Sequence, residues 1–434
     1  MPQITPLLVQ LSLIMTPPAD QERDDYTLER RIDYLEQALA AVRDLALYWA
    51  TERGPDDGLV DFEAKQIEAI RQLGRASAEV ALAMGEAKHR REHPERFEVG
   101  GTAYRLTSPE PRSLLTWFGT VRYGRSYARP LEGGPGWSPL DAELGLLGDR
   151  ISPSLLATGA RLSTRVSFAE AHEVLGGFVP QAPSTEVLEQ TVLGLGHHTR
   201  EWFESVAAPT DDGEVLVILI DGKCVPTARA EELEQRRGPR KDKPKAPSPR
   251  HRGRMDRKAR TPRPRRKKGD KAKNGKLVTM VVMYTLRREG DLLLGPLNRR
   301  VYASFGPKRH AFAFALEEAK RRGFEPSTDK TVQLLTDRDP DLHCYADEYF
   351  PASKFAGRVV TVDVKYVIAK RCDHGGMRWS RERAQAVIQL RCIDVNEQWD
   401  AFVSWTFGRL RATARELGQR MRLQAQTALK LPSA

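Results

Sequence analysis

The segment Glu214 to Ile220, EVLVILI, contains the longest strongly apolar run in the 434-residue chain, and it constrains the fold more than any other stretch. It is far shorter than the ~18 apolar residues that cross a membrane. Because it closes on Asp221-Gly222, it reads as a strand buried on both faces, with neighbours beside it and cover above and below. Leu277 to Arg287 (LVTMVVMYTLR) and Asn298 to Phe305 read as two further strands, and Ala311 to Arg322 as a helix stopped by Gly323. Thr331 to Thr336 (TVQLLT) repeats the first pattern, a buried strand ending in Asp337. Pro340 to Phe350 follows as a helix, and Arg358 to Val364 (RVVTVDV) as a fifth strand.

Three strands, a helix, a strand, a helix and a strand is the order of the ribonuclease-H-like α/β sheet. The expected class is α/β, with a mixed sheet of that kind over residues 211–434, preceded by a mainly helical N-terminal region that carries a small β-hairpin module. Residues 1–96 are expected to be helical. Tyr26 to Arg53 places apolar residues at Leu28, Ile32, Leu35, Leu39, Val42, Leu45 and Trp49, and Val60 to Arg91 repeats the spacing through Phe62, Ile67, Ile70, Leu73, Ala76, Val80 and Met84. Such helices form a hairpin or a dimerising coil, with the apolar stripes in a core. Residues 97–150 alternate with a period of two between Gly and Pro breakers, a small β-region. Its Arg122, Tyr123, Arg125 and Tyr127 are either nucleic-acid contacts or ordinary strand residues. Residues 151–210 return to helix, with Ser167-Phe-Ala-Glu170 as a capping box and Ser184-Thr185 capping a helix through Phe203. That pair is a candidate DNA-binding element, although the connection Gly176 to Pro183 is longer than the turn of a helix-turn-helix.

Charge is concentrated. From Arg236 to Lys276 the chain has 20 Lys and Arg against Asp242, Asp256 and Asp270, a local net of +17; the whole chain is +11, so the remainder carries −6. Prolines from Pro239 to Pro264 forbid a helix in this insert, 236–276, and a disordered arm is expected. Such an arm meets nucleic-acid phosphate, each phosphate neutralised releasing condensed counterions. An insert that only aids solubility is the plainer alternative. The candidate nucleic-acid contacts are Arg250, Arg252, Arg254, Arg257, Lys258, Arg260, Arg263, Arg265, Arg266, Lys267 and Lys268.

Cys224, Cys344, Cys372 and Cys392 are scattered, with no C-x-x-C and no His at finger spacing, so neither a disulfide framework nor zinc is expected. The apolar opening Met1 to Met15 lacks a basic n-region or cleavage site and runs into Pro17-Pro18, so export and a membrane span are not expected either.

In a sheet of the expected kind, acidic side chains at the C-terminal ends of neighbouring central strands converge on divalent ions about 3.5–4 Å apart. Asp221 closes the first strand and Asp337 the fourth, which makes both candidate catalytic residues and metal ligands. Mg²⁺ or Mn²⁺ is the expected cofactor, because Mg²⁺ takes hard oxygen ligands and keeps several waters. The plainer reading makes each Asp a strand-end cap. Asp337-Arg-Asp-Pro-Asp341 with Glu348 also resembles a calcium loop, but that loop needs Gly at its sixth position, where Leu342 stands, and a helix before it.

Several blocks are similar, in order, to landmarks of the ISKra-type insertion-sequence transposases: Ser138-Pro-Leu-Asp-Ala-Glu-Leu-Gly145, Ser152-Pro-Ser-Leu155, Ile220-Asp-Gly-Lys223, Leu335-Thr-Asp337, Val362-Asp-Val-Lys-Tyr-Val-Ile368, Gly376-Met-Arg-Trp-Ser380 with Ala384 to Arg391, and Trp399-Asp400. The resemblance implies a ribonuclease-H-like domain with an Asp, Asp, Glu triad that cuts and joins transposon DNA ends. It also implies end and target DNA as partners, a homo-oligomer, and a bacterial cytoplasmic, nucleoid-associated location. Asp221 and Asp337 fall on the first two acids. Departures exist: Arg129 to Gly136 stands where relatives often carry a Cys-rich knuckle, and Tyr366 where a His is usual. Arg371 runs almost directly into Gly376-Met-Arg-Trp379, where relatives have a long helical region bearing the third acid on a Gly-Ser-Gly-x-x-Glu helix. Glu382, on a helix expected from Ser380 to Leu390, and Asp363 are the nearby substitutes. The sequence thus supports a transposase performing metal-dependent cleavage and strand transfer, reduced or inactive through an internal deletion. The competing readings are a non-catalytic DNA-binding derivative and an RNA-binding factor using the arm.

Overall fold

The structure, a computed structural model, describes residues 27–92, 95–99, 101–134, 136–146, 150–228, 275–325, 330–336, 339–351, 354–357, 364–372, 379–412 and 416. It is a mixed α/β protein of two units. One comprises Met1–Gly159, Phe168–Leu188 and Val403–Ala434, the other Ala160–Ser167 and Glu189–Phe402.

In the first unit, α1 (Leu28–Thr51) and α2 (Leu59–Glu92) form an antiparallel hairpin. Trp49 meets Phe62 at 4.7 Å near the turn, and Arg31 bonds Glu79 at 2.6 Å farther along. The buried faces overlap the expected stripes only in part, at Leu45 and Ala76. On α1 they follow Arg31, Ala38, Ala41, Leu45 and Tyr48, while Leu39 is 51% exposed; on α2 they follow Ala69, Ala76, Glu79, Leu82 and Glu86, while Ile67 is 50% exposed. Alanines let the helices approach closely, and each buried carboxylate has donors. Glu79 takes the Arg31 guanidinium and the Arg122 backbone N–H, and Glu86 takes the Ser126 N–H and hydroxyl.

Strands β1 (Arg96–Val99), β2 (Thr102–Leu106) and β5 (Ala128–Pro130) make a small antiparallel sheet, and β3 (Glu110–Thr116) pairs with β4 (Gly119–Arg125) as a hairpin. The Ser138-Pro-Leu-Asp block is a self-contained short helix, α3 (Pro139–Leu144). Ser138 caps it by accepting from the Asp141 N–H at 3.4 Å, and Gly145 closes it at φ 73°. Leu82, Leu114, Val121, Tyr123, Leu140 and Leu146 form the core beneath it. The helices α4 (Pro153–Arg165), α5 (Phe168–Gly176), α6 (Thr185–Gly196) and α7 (Thr199–Ser205) follow. The helix expected to run through Phe203 is thus broken. Gly196 packs so tightly on Ala386 that a Cβ there would lie 2.6 Å from the Ala386 methyl.

The second unit is built on five strands, β6 (Val215–Pro226), β7 (Gly275–Glu289), β8 (Leu292–Ser304), β9 (Thr331–Thr336) and β10 (Lys354–Gly357), in the order β10-β9-β6-β7-β8. Pairings β6–β7 and β7–β8 are antiparallel, and β6–β9 and β9–β10 parallel. Leu216, Ile218 and Ile220 lie on the face covered by α8 (Lys308–Arg321) and α9 (Pro340–Tyr349), whose Phe312, Ala315, Leu342 and Ala346 join the same core. By strand alternation, Val217, Leu219 and Asp221 face the other way. C-terminal to the sheet come a π-helix, Val364–Ala369, continued by α10 (Lys370–Cys372), then α11 (Arg381–Val395) and a helix over 399–412.

Three expectations change. A strand parallel to β9 lies at Lys354–Gly357, and of the expected strand Arg358 to Val364 only Val364 is among the described residues. Val364 starts the π-helix, whose Val367 and Ile368 are fully buried, so tertiary packing overrides the β-propensity of that stretch; residues 358–363 lie outside the described ones. Strand β6 also continues past Asp221, with pairing to β7 as far as Pro226↔Gly275. Gly275 and Lys276, the end of the basic insert, are therefore strand. Residues 229–274, with all eleven candidate nucleic-acid contacts from Arg250 to Lys268, lie outside the described residues. Among the described residues no helix is long and apolar enough to cross a membrane, and the four cysteines form no disulfide.

Candidate active site

Asp221 stands in the middle of β6, the central strand of the sheet. Up to Ile220 the strand is held on both sides, by β7 and by β9, and six successive residues from Val215 are buried. Among the described residues the last parallel rung is Ile220↔Thr336. Asp221 follows it, pairs with Met280 of β7, and is half-buried. Its Oδ1 accepts the Gly222 N–H at 2.6 Å, which orients the carboxylate. Asp337, the second sequence candidate, follows Thr336 in the chain and lies outside the described residues.

The acidic stretch after β9 is divided by a lysine. Asp339 caps α9 by accepting the Asp341 N–H at 3.0 Å. Lys308, at the start of α8, reaches Asp339 at 2.6 Å and Asp341 at 2.8 Å. Burial works against the Lys308 charge, but its bonds to the two carboxylates more than offset that and raise the ammonium above its ordinary value. Both aspartates are therefore engaged by a cation, and the residues that a calcium loop would curl around an ion are instead the first turn of a helix with Leu342 buried beneath it. Nothing in the spacing of Phe305-Gly-Pro-Lys308 announced this lysine; its role comes from α8 and α9 packing on the same face.

Of the Gly376-Met-Arg-Trp-Ser block, Trp379 and Ser380 are described, and they act as a fastening. Trp379 exchanges backbone hydrogen bonds with the end of β6, its N–H to the Pro226 carbonyl at 3.2 Å and its carbonyl from Ala228 at 2.9 Å. Ser380 then caps α11, its hydroxyl accepting the Arg383 N–H at 3.2 Å. Glu382 sits in the first turn, exposed. The rung Asp221↔Met280 continues to Ala303 of β8, and the Ala303 backbone bonds Cys392 of α11. Glu382 lies ten residues earlier, about 15 Å along the helix axis. The helix therefore carries Glu382 past the level of Asp221. The other substitute, Asp363, lies outside the described residues. Among the described residues no group of three or more His, Cys, Asp or Glu stands together as a metal-binding set.

Compared with known proteins, the chain matches no family model and no curated protein.

Proposed function

We propose that the chain is a DNA transposase by descent, of the ribonuclease-H-like class that works with carboxylates and divalent metal, whose catalytic set is reduced to Asp221 and Asp337. The observation that carries this reading is the last described parallel rung, Ile220↔Thr336, because the residue that follows each partner in the sequence is an aspartate. The strand order supports it. A meander β6–β7–β8 with two parallel strands added on the other side of β6 is the order of the ribonuclease-H-like sheet. The similarity to ISKra-type transposases adds DNA ends as the substrate.

Asp221 fits a hard divalent ion: it is a half-buried oxygen donor on a central strand, just after its buried apolar run, oriented by the Gly222 N–H. Asp221 and Asp337 would hold Mg²⁺ or Mn²⁺, which supplies activation of the attacking hydroxyl and stabilisation of the leaving oxygen. Lys308 keeps Asp339 and Asp341 out of that role. The second reading, a DNA-binding derivative without turnover, is favoured by one observation, the displacement of Glu382 from the Asp221 rung.

Titration calorimetry with Mn²⁺ tests the site. Asp221→Asn and Asp337→Asn are each expected to weaken binding at least tenfold, and Asp341→Asn, which only releases one arm of Lys308, to leave it unchanged. An Asp221→Asn protein that binds Mn²⁺ like the natural chain, or a natural chain with no affinity, removes the basis of the proposal.

A further inference from the structure

We propose that the first unit carries its own surface for the DNA sugar-phosphate backbone, a groove along the β3–β4 hairpin lined by Arg112, Arg122, Arg125 and Arg150. The hollow measures about 470 Å³ and its lining includes a single acid, Glu110. A second hollow of about 570 Å³ shares Glu110 and Arg125 and runs on past Arg129 to the turn Gly133 to Gly136. Outside the basic insert the chain is net negative, at −6, so four guanidiniums gathered round one carboxylate are a local concentration of charge and not a reflection of composition.

The groove is built, not merely basic. Asp141, 5% exposed, stands beneath it and binds Arg125 directly, with the Arg112 Nε 3.7 Å from the same oxygen. The other oxygen accepts the Tyr123 hydroxyl at 2.8 Å. Burial first, then the Asp141 charge, pushes the Tyr123 phenol far above its usual range, so it stays a donor. Two guanidiniums stand beside one carboxylate, which holds Arg125 by a hydrogen bond and leaves net positive charge for a phosphate to meet. Arg122 is half-buried and Arg150 exposed at the rim. This also gives the Pro-Leu-Asp141 block a role: Asp141 is a positioning residue for the groove.

The shape selects backbone over bases. Tyr123 is buried, and Tyr127 lies against the Arg125 guanidinium at 5.4 Å with its hydroxyl donated to the Gly136 carbonyl, so neither ring is presented for stacking. Gly133 and Gly134, at φ +86° and +115°, have nothing within 4 Å of where a Cβ would stand, which leaves room for a backbone to approach. That the polymer is DNA rests on the transposase reading.

The test is binding of the full chain to a DNA duplex, followed by fluorescence anisotropy across a salt series. Removing two phosphate contacts with Arg122→Gln/Arg150→Gln should flatten the slope of log K against log salt by about 1.8. The control Arg43→Gln/Arg105→Gln removes the same charge from exposed positions elsewhere in this unit and should leave the slope unchanged. An unaltered slope in the groove variant, an equal loss in the control, or an equal loss on duplex RNA overturns the proposal. Mn²⁺ titration reads the Asp221 site separately, so a failed groove with intact metal binding leaves the transposase reading standing.

Discussion

Asp394 shows what a single buried charge does in this fold. It is 7% exposed and accepts from Arg161 at 2.9 Å and from Arg165 at 2.6 and 2.7 Å, tying the end of α4 to the end of α11 within the second unit. Burial pushes its carboxyl up, but the two guanidiniums, Arg165 ahead of Arg161, more than offset that and hold it below its ordinary 3.8. A depressed acid contributes stability that is fully present above its unfolded value and lost as the pH falls through the folded one. Asp394→Asn is expected to cost about 1–2 kcal/mol at neutral pH, toward the low end for a buried charged pair because both arginines remain partly exposed. Urea denaturation of both proteins should show a constant gap above about pH 5 that closes below 3.8. A gap unchanged at pH 3 would show that the ionised carboxylate is not its source.

At the scale of elements, sequence reading succeeds where one physical cause dominates. TVQLLT is found to the residue because β9 is a central strand flanked by β6 and β10. Asp221 is legible for the same reason, as the acid that ends an apolar run. What is not legible depends on partners distant in sequence. Hydrophobic spacing identifies α1 and α2 as helices and finds Leu45, Trp49, Phe62 and Ala76 of their contact, but misses the part made by other alanines and by carboxylates whose partners are Arg31, Arg122 and Ser126. Strand β3 is hidden by Pro111, tolerated because its pairing there is with Gly124 of β4, while its other edge is met farther along, at Leu115↔Ile151. The reach of Glu382 is set by how α11 packs on β8, which no local pattern states. The Gly133 to Gly136 turn is a local feature that can be tested alone. A Cβ on Gly136 would lie 2.2 Å from the Ala128 carbonyl oxygen and 2.6 Å from the Tyr127 ring. Gly136→Ala should therefore cost about 1–3 kcal/mol. Gly176→Ala, with nothing within 4 Å, serves as the comparison. Equal melting temperatures for the two variants would mean that the turn relaxes without penalty.

For the whole molecule, the proposed parts are unequal. Contacts for DNA are ample: the basic insert carries a net +17, and the first unit adds four arginines in one groove. The chemistry is thin. Two aspartates can hold a divalent ion, but in-line displacement at phosphorus depends on alignment, and a misplacement of about 1 Å can cost roughly a hundredfold in rate. Strand transfer is accordingly expected to be at or near background while DNA binding is strong. The assay is cleavage of pre-nicked duplexes made from the DNA on either side of the gene, with Mg²⁺ or Mn²⁺, by the natural chain, Asp221→Asn and Glu382→Gln. All three should bind alike and cut poorly, because the natural chain has little activity to lose and Glu382 is exposed in the first turn of α11, where its neighbours Arg381 and Gln385 bond Phe305, beyond Ala303 on β8. Efficient cutting by the natural chain that both substitutions abolish would mean that α11 shifts on DNA to deliver Glu382 as the third acid, and that the catalytic set is whole.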